Sequence, residues 1–146
     1  RSYEPFRLFK RRIVDRSEHD NWIVAKRSKP LETGVTRIDV TASLFRDQGW
    51  GNQKANLSLA LYDSQGAEVA RCNLFGTFRT PTYSHGTSPS RTLLEEDVVL
   101  QARPGFVYSL EYTVGGGGGH SVSVYDWSCK VFPKLNSFVT YPMQDP

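Results

Sequence analysis

The chain has 146 residues, 38% of them hydrophobic, which is the length of one domain and enough to bury one core. No apolar run approaches the roughly 18 residues that a spanning helix needs, so no membrane-crossing helix is expected. A net charge of +3 is mildly basic, and much of the excess lies early, in Arg7, Lys10, Arg11, Arg12, Arg16, Lys26, Arg27 and Lys29. That distribution reads as an edge guarded by charge rather than as a nucleic-acid footprint.

Taken in chain order, residues 1–21 form an irregular basic segment, although Phe6 to Val14 and Trp22 to Ala25 carry enough β-branched and aromatic residues for one or two edge strands. Ile38, Val40, Ala42 and Leu44 alternate with Arg37, Asp39, Thr41 and Ser43, which predicts one strand from about Thr36 to Phe45. Leu57, Leu59 and Leu61 alternate with Asn56, Ser58 and Ala60; Asp63-Ser64-Gln65-Gly66 then turns the chain into Glu68 to Phe75, completing a hairpin. Leu93 to Leu100 is strand-like. Through Ala102-Arg103-Pro104-Gly105 it leads into Phe106 to Val114, which predicts a second hairpin. The last strand runs from Ser121 to Phe132, long enough to hold a bulge where the alternation blurs around Asp126 to Ser128.

No segment carries a sustained 3.6-residue apolar stripe. The expected fold is therefore all-β: an antiparallel β-sandwich of jelly-roll or Greek-key type spanning residues 1–132, with residues 133–146 as an extended tail.

If strand directions alternate, the connections fall at two ends. One end receives the two short turns. The other receives Arg46 to Lys54, Gly76 to Ser90, and Gly115 to Gly119 with His120. Long, glycine-rich, aromatic-bearing loops at one end of a rigid sandwich are where such folds build sites. Trp50 stands between two glycines beside Asp47, Asn52, Gln53 and Lys54, an arrangement suited to stacking on an apolar ring while polar groups meet hydroxyls. The expected ligand-binding residues are Arg46, Asp47, Trp50, Asn52, Gln53, Tyr83, His85 and His120. The same pattern allows Trp50 to fold inward as a plug.

Chemistry at these residues is not expected. His19, His85 and His120 are isolated, without a second ligand at metal spacing, and the five glycines before His120 lack the Lys-Ser/Thr and helix of a phosphate loop, so neither a metal nor a cofactor is expected. Glu95, Glu96 and Asp97 resemble a glycosidase pair by composition alone; neighbours on a strand point to opposite faces, so they read as solvated charges. Cys72 and Cys129 allow one disulfide or two free thiols, with no zinc spacing. The sequon Asn56-Leu57-Ser58 tilts localisation towards the extracellular side.

Between Trp22 and Phe132 the chain resembles the galactose-binding-like jelly-roll superfamily, which includes discoidin-type, F-box-associated and many carbohydrate-binding modules. The strand order, the strand Val35 to Phe45 entering a Trp-bearing loop, and the paired late strands Phe106 to Val114 and Ser121 to Phe132 carry the resemblance. Arg46-Asp47-Gln48-Gly49-Trp50 is also similar to a motif of β-rich domains in eukaryotic proteins. The resemblance implies binding of a glycan, a protein or a lipid head group through loops at one end. The leading expectation is a non-catalytic recognition module for a glycan. The alternative is a structural or protein-interaction subunit of a larger assembly.

Overall fold

A computed structural model describes residues 6–15, 21–48, 55–76, 90–115 and 121–134. In chain order they form β1 (Phe6–Asp15), β2 (Ile23–Arg27), β3 (Val35–Thr41), β4 (Leu44–Gln48), β5 (Asn56–Tyr62), β6 (Glu68–Gly76), β7 (Ser90–Leu93), the single helical turn α1 (Asp97–Leu100), β8 (Val107–Thr113) and β9 (Ser121–Pro133). One sheet runs β1-β9-β3-β7, with β4 also on β9; the other runs β2-β8-β5-β6. Every pairing is antiparallel. β1 with β9, β2 with β8, β3 with β7 and β5 with β6 are nested one inside the next, which is a long ribbon rolled into a jelly roll. The expected all-β sandwich is the fold.

The core lies between the sheets. Leu57, Leu59, Leu61, Cys72, Leu74, Tyr108 and Leu110 come from one sheet, and Ile38, Val40, Leu93, Val122, Val124, Trp127, Cys129 and Val131 from the other. In β9 the buried set changes from even numbers, Val122 and Val124, to odd numbers, Trp127, Cys129 and Val131. The cause is Asp126, at φ 53°, where β9 places two residues, Tyr125 and Asp126, against the one residue Arg12 of β1 between the pairs Arg11↔Trp127 and Ile13↔Val124. Without this bulge a period-2 strand would turn Trp127, Cys129 and Val131 to solvent. The Ser43 amide donates to the Tyr125 carbonyl (2.9 Å), and the Ser43 hydroxyl donates to Asp126 Oδ2 (3.0 Å), fixing the irregularity from the link between β3 and β4.

Three sequence expectations are corrected. Thr36 to Phe45 is two strands, because the chain leaves the ladder at Ala42-Ser43 opposite that bulge. Leu93 to Leu100 is no strand: β7 ends at Leu93 and α1 follows, so Glu95, Glu96 and Asp97 mark a helix start rather than alternate strand faces. Two adjacent valines explain the misreading, since Val98 and Val99 are both buried by the helical turn. The Tyr108 hydroxyl donates to the Val98 carbonyl (2.6 Å) and Arg103 donates to the Leu100 carbonyl (3.0 Å). The strand Phe106 to Val114 accordingly pairs with β2 and β5, not with Leu93 to Leu100, and it sits in a different sheet from β9.

The turn expected at Asp63–Gly66 forms as the residues dictate. Asp63 Oδ1 accepts from the amides of Gln65 (2.8 Å) and Ala67 (3.0 Å), and Gly66 takes φ 86°, where a Cβ is strained. Gly105, at φ 89°, packs near Ser64, so both short turns share one end. Cys72 and Cys129 lie in opposite sheets as buried thiols that are not joined in a disulfide.

Candidate functional site

The opposite end is defined by the residues from which the long connections leave. Gln48 pairs with Ser121, and Asn56 pairs with both Gly76 and Thr113. The strand directions therefore alternate, and the described residues Gln48, Asn56, Gly76, Thr113 and Ser121, beside the segments 49–54, 77–89 and 116–120, stand at that end. Of the expected ligand-binding residues, Arg46 and Asp47 stand in β4, opposite Ser123 and Val122. They belong to a paired strand and not to a loop, because β9 extends far enough past the bulge to give Leu44–Gln48 a full set of partners. Trp50, Asn52, Gln53, Tyr83, His85 and His120 lie outside the described residues, as does His19.

A second site was invisible to strand alternation. Alternation sets Asn56, Ser58, Ser109, Glu111 and Thr113 apart from the apolar positions of β5 and β8, yet all five are buried. The sequon asparagine is among them, its amide and backbone N–H both directed to the Thr113 hydroxyl. Folded, the chain does not offer Asn56 as a glycosylation acceptor.

The centre of this outer face is Arg71. From β6 its guanidinium donates to Glu111 Oε1 (2.7 Å), Glu68 Oε1 (2.8 Å) and the Ser58 hydroxyl (2.6 Å), and stands 4.5 Å above the Trp22 ring. Tyr62 donates its hydroxyl to Glu111 Oε2 (2.9 Å). The register builds this cluster: Ser58 is opposite Glu111 in β8, and Ala60, two residues on, is opposite Arg71 in β6. The alanine leaves room for the guanidinium to cross β5 diagonally to the carboxylate.

Burial pulls the Glu111 carboxyl upward, but hydrogen bonds from Arg71 and Tyr62 and the Arg71 charge hold it below its ordinary value. Tyr62 is pushed up by burial and by its bond to Glu111. A carboxyl held down in this way is a poor proton donor near neutral pH, and every strong acceptor here already faces the guanidinium. The cluster ties three strands together. Burial, with Asp39 nearby, also raises the Cys129 thiol well above its ordinary value, so it is no thiolate nucleophile. Among the described residues no group of three His, Cys, Asp or Glu side chains could hold a metal ion.

No family model matches the chain, and no curated protein matches it. Solved structures do. The infectious bursal disease virus VP2 subviral particle superposes with a TM-score of 0.53 at 11% identity over 88% of this chain and 32% of the other. The T=1 particles derived from infectious bursal virus give 0.54 at 12% identity, over 89% and 33%. The structure of the Gt strain of the virus gives 0.52 at 14% identity, over 88% and 32%. The chain thus spans about a third of the length of the chains it matches. At these identities the likeness is one of fold.

Proposed function

We propose that this chain is a non-catalytic structural subunit that works by associating with other protein chains in a larger assembly. One observation carries the proposal: the whole rolled ribbon, over 88–89% of its length, has the architecture of proteins solved as viral or subviral particles. The warrant is architectural, and fold alone does not transmit function. The molecule itself supports it with a rigid two-layer block whose only described helix is one turn long and whose buried polar groups serve to hold strands together.

The test is the mass of the purified protein by light scattering across a range of concentrations, with negative-stain microscopy of the heaviest fraction. Concentration-dependent oligomers or particles are expected. A strict monomer whose tryptophan fluorescence titrates with glycans, and loses that response in Trp50→Ala, would establish the competing proposal: glycan recognition by Trp50 with Arg46, Asp47, Asn52, Gln53, Tyr83, His85 and His120.

A further inference from the structure

The two lateral edges of the sandwich differ in charge. β1 and β2 lie at one side, as the outermost strands of their sheets, and β7 and β6 at the other. At the first edge, the sequence of β1 holds Arg7, Lys10, Arg11 and Arg12 against one acid, Asp15, and the chain through and after β2 presents exposed Lys26, Lys29 and Arg27, the last with its guanidinium 5.5 Å over the Tyr62 ring. At the second edge, α1 packs against β6 and β3 and presents Glu95, Glu96 and Asp97, all exposed. The cations near that edge are engaged: Arg91 donates to the Asn73 carbonyl (2.7 Å) and lies 3.7 Å from Glu96, and Arg103 donates to the carbonyls of Leu100 and Ala102.

Exposed apolar side chains fall on the same two edges. Among the described residues, the large hydrophobics open to solvent are Val24, 43% exposed in β2, and Leu94 and Leu100, 52% and 57% exposed beside the acids. A single exposed leucine means nothing. Two leucines flanking three carboxylates at one edge, and a valine among cations at the other, make two surfaces that complement each other and not themselves.

We propose that copies of this chain associate edge to edge, with the basic β1–β2 edge of one seated on the Leu94–Leu100 edge of the next. This rests on the assembly reading above and adds its geometry. Because the two surfaces differ, the contact is heterologous and generates rings or open chains rather than two-fold dimers. Opposite charge sets the register and speeds encounter, while Leu94, Leu100 and Val24 supply the apolar contact. Raising salt from about 0.05 to 0.5 M weakens such an interface by screening its rim.

Two charge-reversed proteins test it: one carrying Lys26→Glu, Arg27→Glu and Lys29→Glu, the other Glu95→Lys and Glu96→Lys. Sedimentation velocity of each alone should show self-association reduced at least tenfold. Mixed one to one they should associate again, because the unaltered Leu94–Leu100 edge of the first meets the unaltered β1–β2 edge of the second. Leu94→Ser with Leu100→Ser should weaken association without altering its salt dependence, and thermal melts confirm that each variant is folded. Variants that assemble like the parent, or folded variants whose mixture stays dissociated, overturn the edge pairing while leaving an assembly role standing. A parent chain that is monomeric throughout overturns both, and so does a monomer that binds an oligonucleotide through Lys26, Arg27 and Lys29.

Discussion

Replacing Arg71 with leucine removes the cation from a carboxylate that is only 2% exposed. Of its donors Arg71 and Tyr62, Glu111 then keeps only the Tyr62 hydroxyl, while Ser58 loses its guanidinium partner and Trp22 loses the cation above its ring. Stranding one member of a buried pair costs about 3–5 kcal/mol, and the Arg71 side chain, 17% exposed, places this case near the lower bound. Urea unfolding should therefore show a loss of about 3 kcal/mol at pH 7, or roughly 10 °C in Tm. The double variant Arg71→Leu/Glu111→Leu should recover about 2 kcal/mol of that, since no unpaired charge remains.

The pH dependence separates this account from simple loss of packing. In the parent, Glu111 is held below its unfolded value, so its contribution is present above the ordinary carboxylate range and is lost as pH falls through the folded value. In Arg71→Leu only burial acts strongly, which raises the carboxyl, so the variant's deficit should shrink as pH is lowered through the carboxylate range. A deficit under about 1 kcal/mol, or one unchanged between neutral and acid pH, would refute a charge-compensated cluster.

Further outcomes follow from other positions. Asp126→Asn should cost under about 1 kcal/mol, because asparagine tolerates φ 53°, whereas Asp126→Val should cost about 2–3 kcal/mol by chemical denaturation through strain and loss of the Ser43 bond. Tyr108→Phe strips the donor from the buried Val98 carbonyl and should cost about 1–2 kcal/mol, with faster amide exchange confined to α1. Cys129 should react with a thiol reagent only at the rate of global unfolding, since its thiol is fully buried and raised; rapid modification of the native protein would contradict its place in the core.

The sandwich was legible because Leu57-Leu59-Leu61 and Tyr108-Leu110-Tyr112 keep strict phase with the core, and Asp63 and Gly66 announce their own turn. The bulge was legible only as a loss of pattern around Asp126, although its effect is specific: it exchanges the inward and outward sets of half a strand. Leu93 to Leu100 misled because two adjacent buried valines satisfy a short helical turn as well as a strand. The Arg71–Glu111 cluster was illegible for a different reason. Its members are 40 residues apart, and only the register of β8 on β5 and of β5 on β6 brings them together. Period-2 alternation reports which face a residue occupies but not whether that face stays wet. The expected loop residues Arg46 and Asp47 were misplaced because the length of a strand depends on the partner available to it, here the distant β9.

The position of β9 also imposes an order on synthesis. The sheet made of β2, β5, β6 and β8 is complete once Thr113 has left the ribosome. In the other sheet, among the described residues, β1 and β4 each have β9 as their sole strand partner, and β3 is left with the four residues of β7 until β9 arrives. The nascent chain therefore carries β1 unpaired for more than 100 residues of growth between Asp15 and Ser121. An exposed strand waiting that long is an invitation to mispair. Arg7, Lys10, Arg11 and Arg12 give that waiting strand a run of like charge, which opposes pairing between one nascent chain and another.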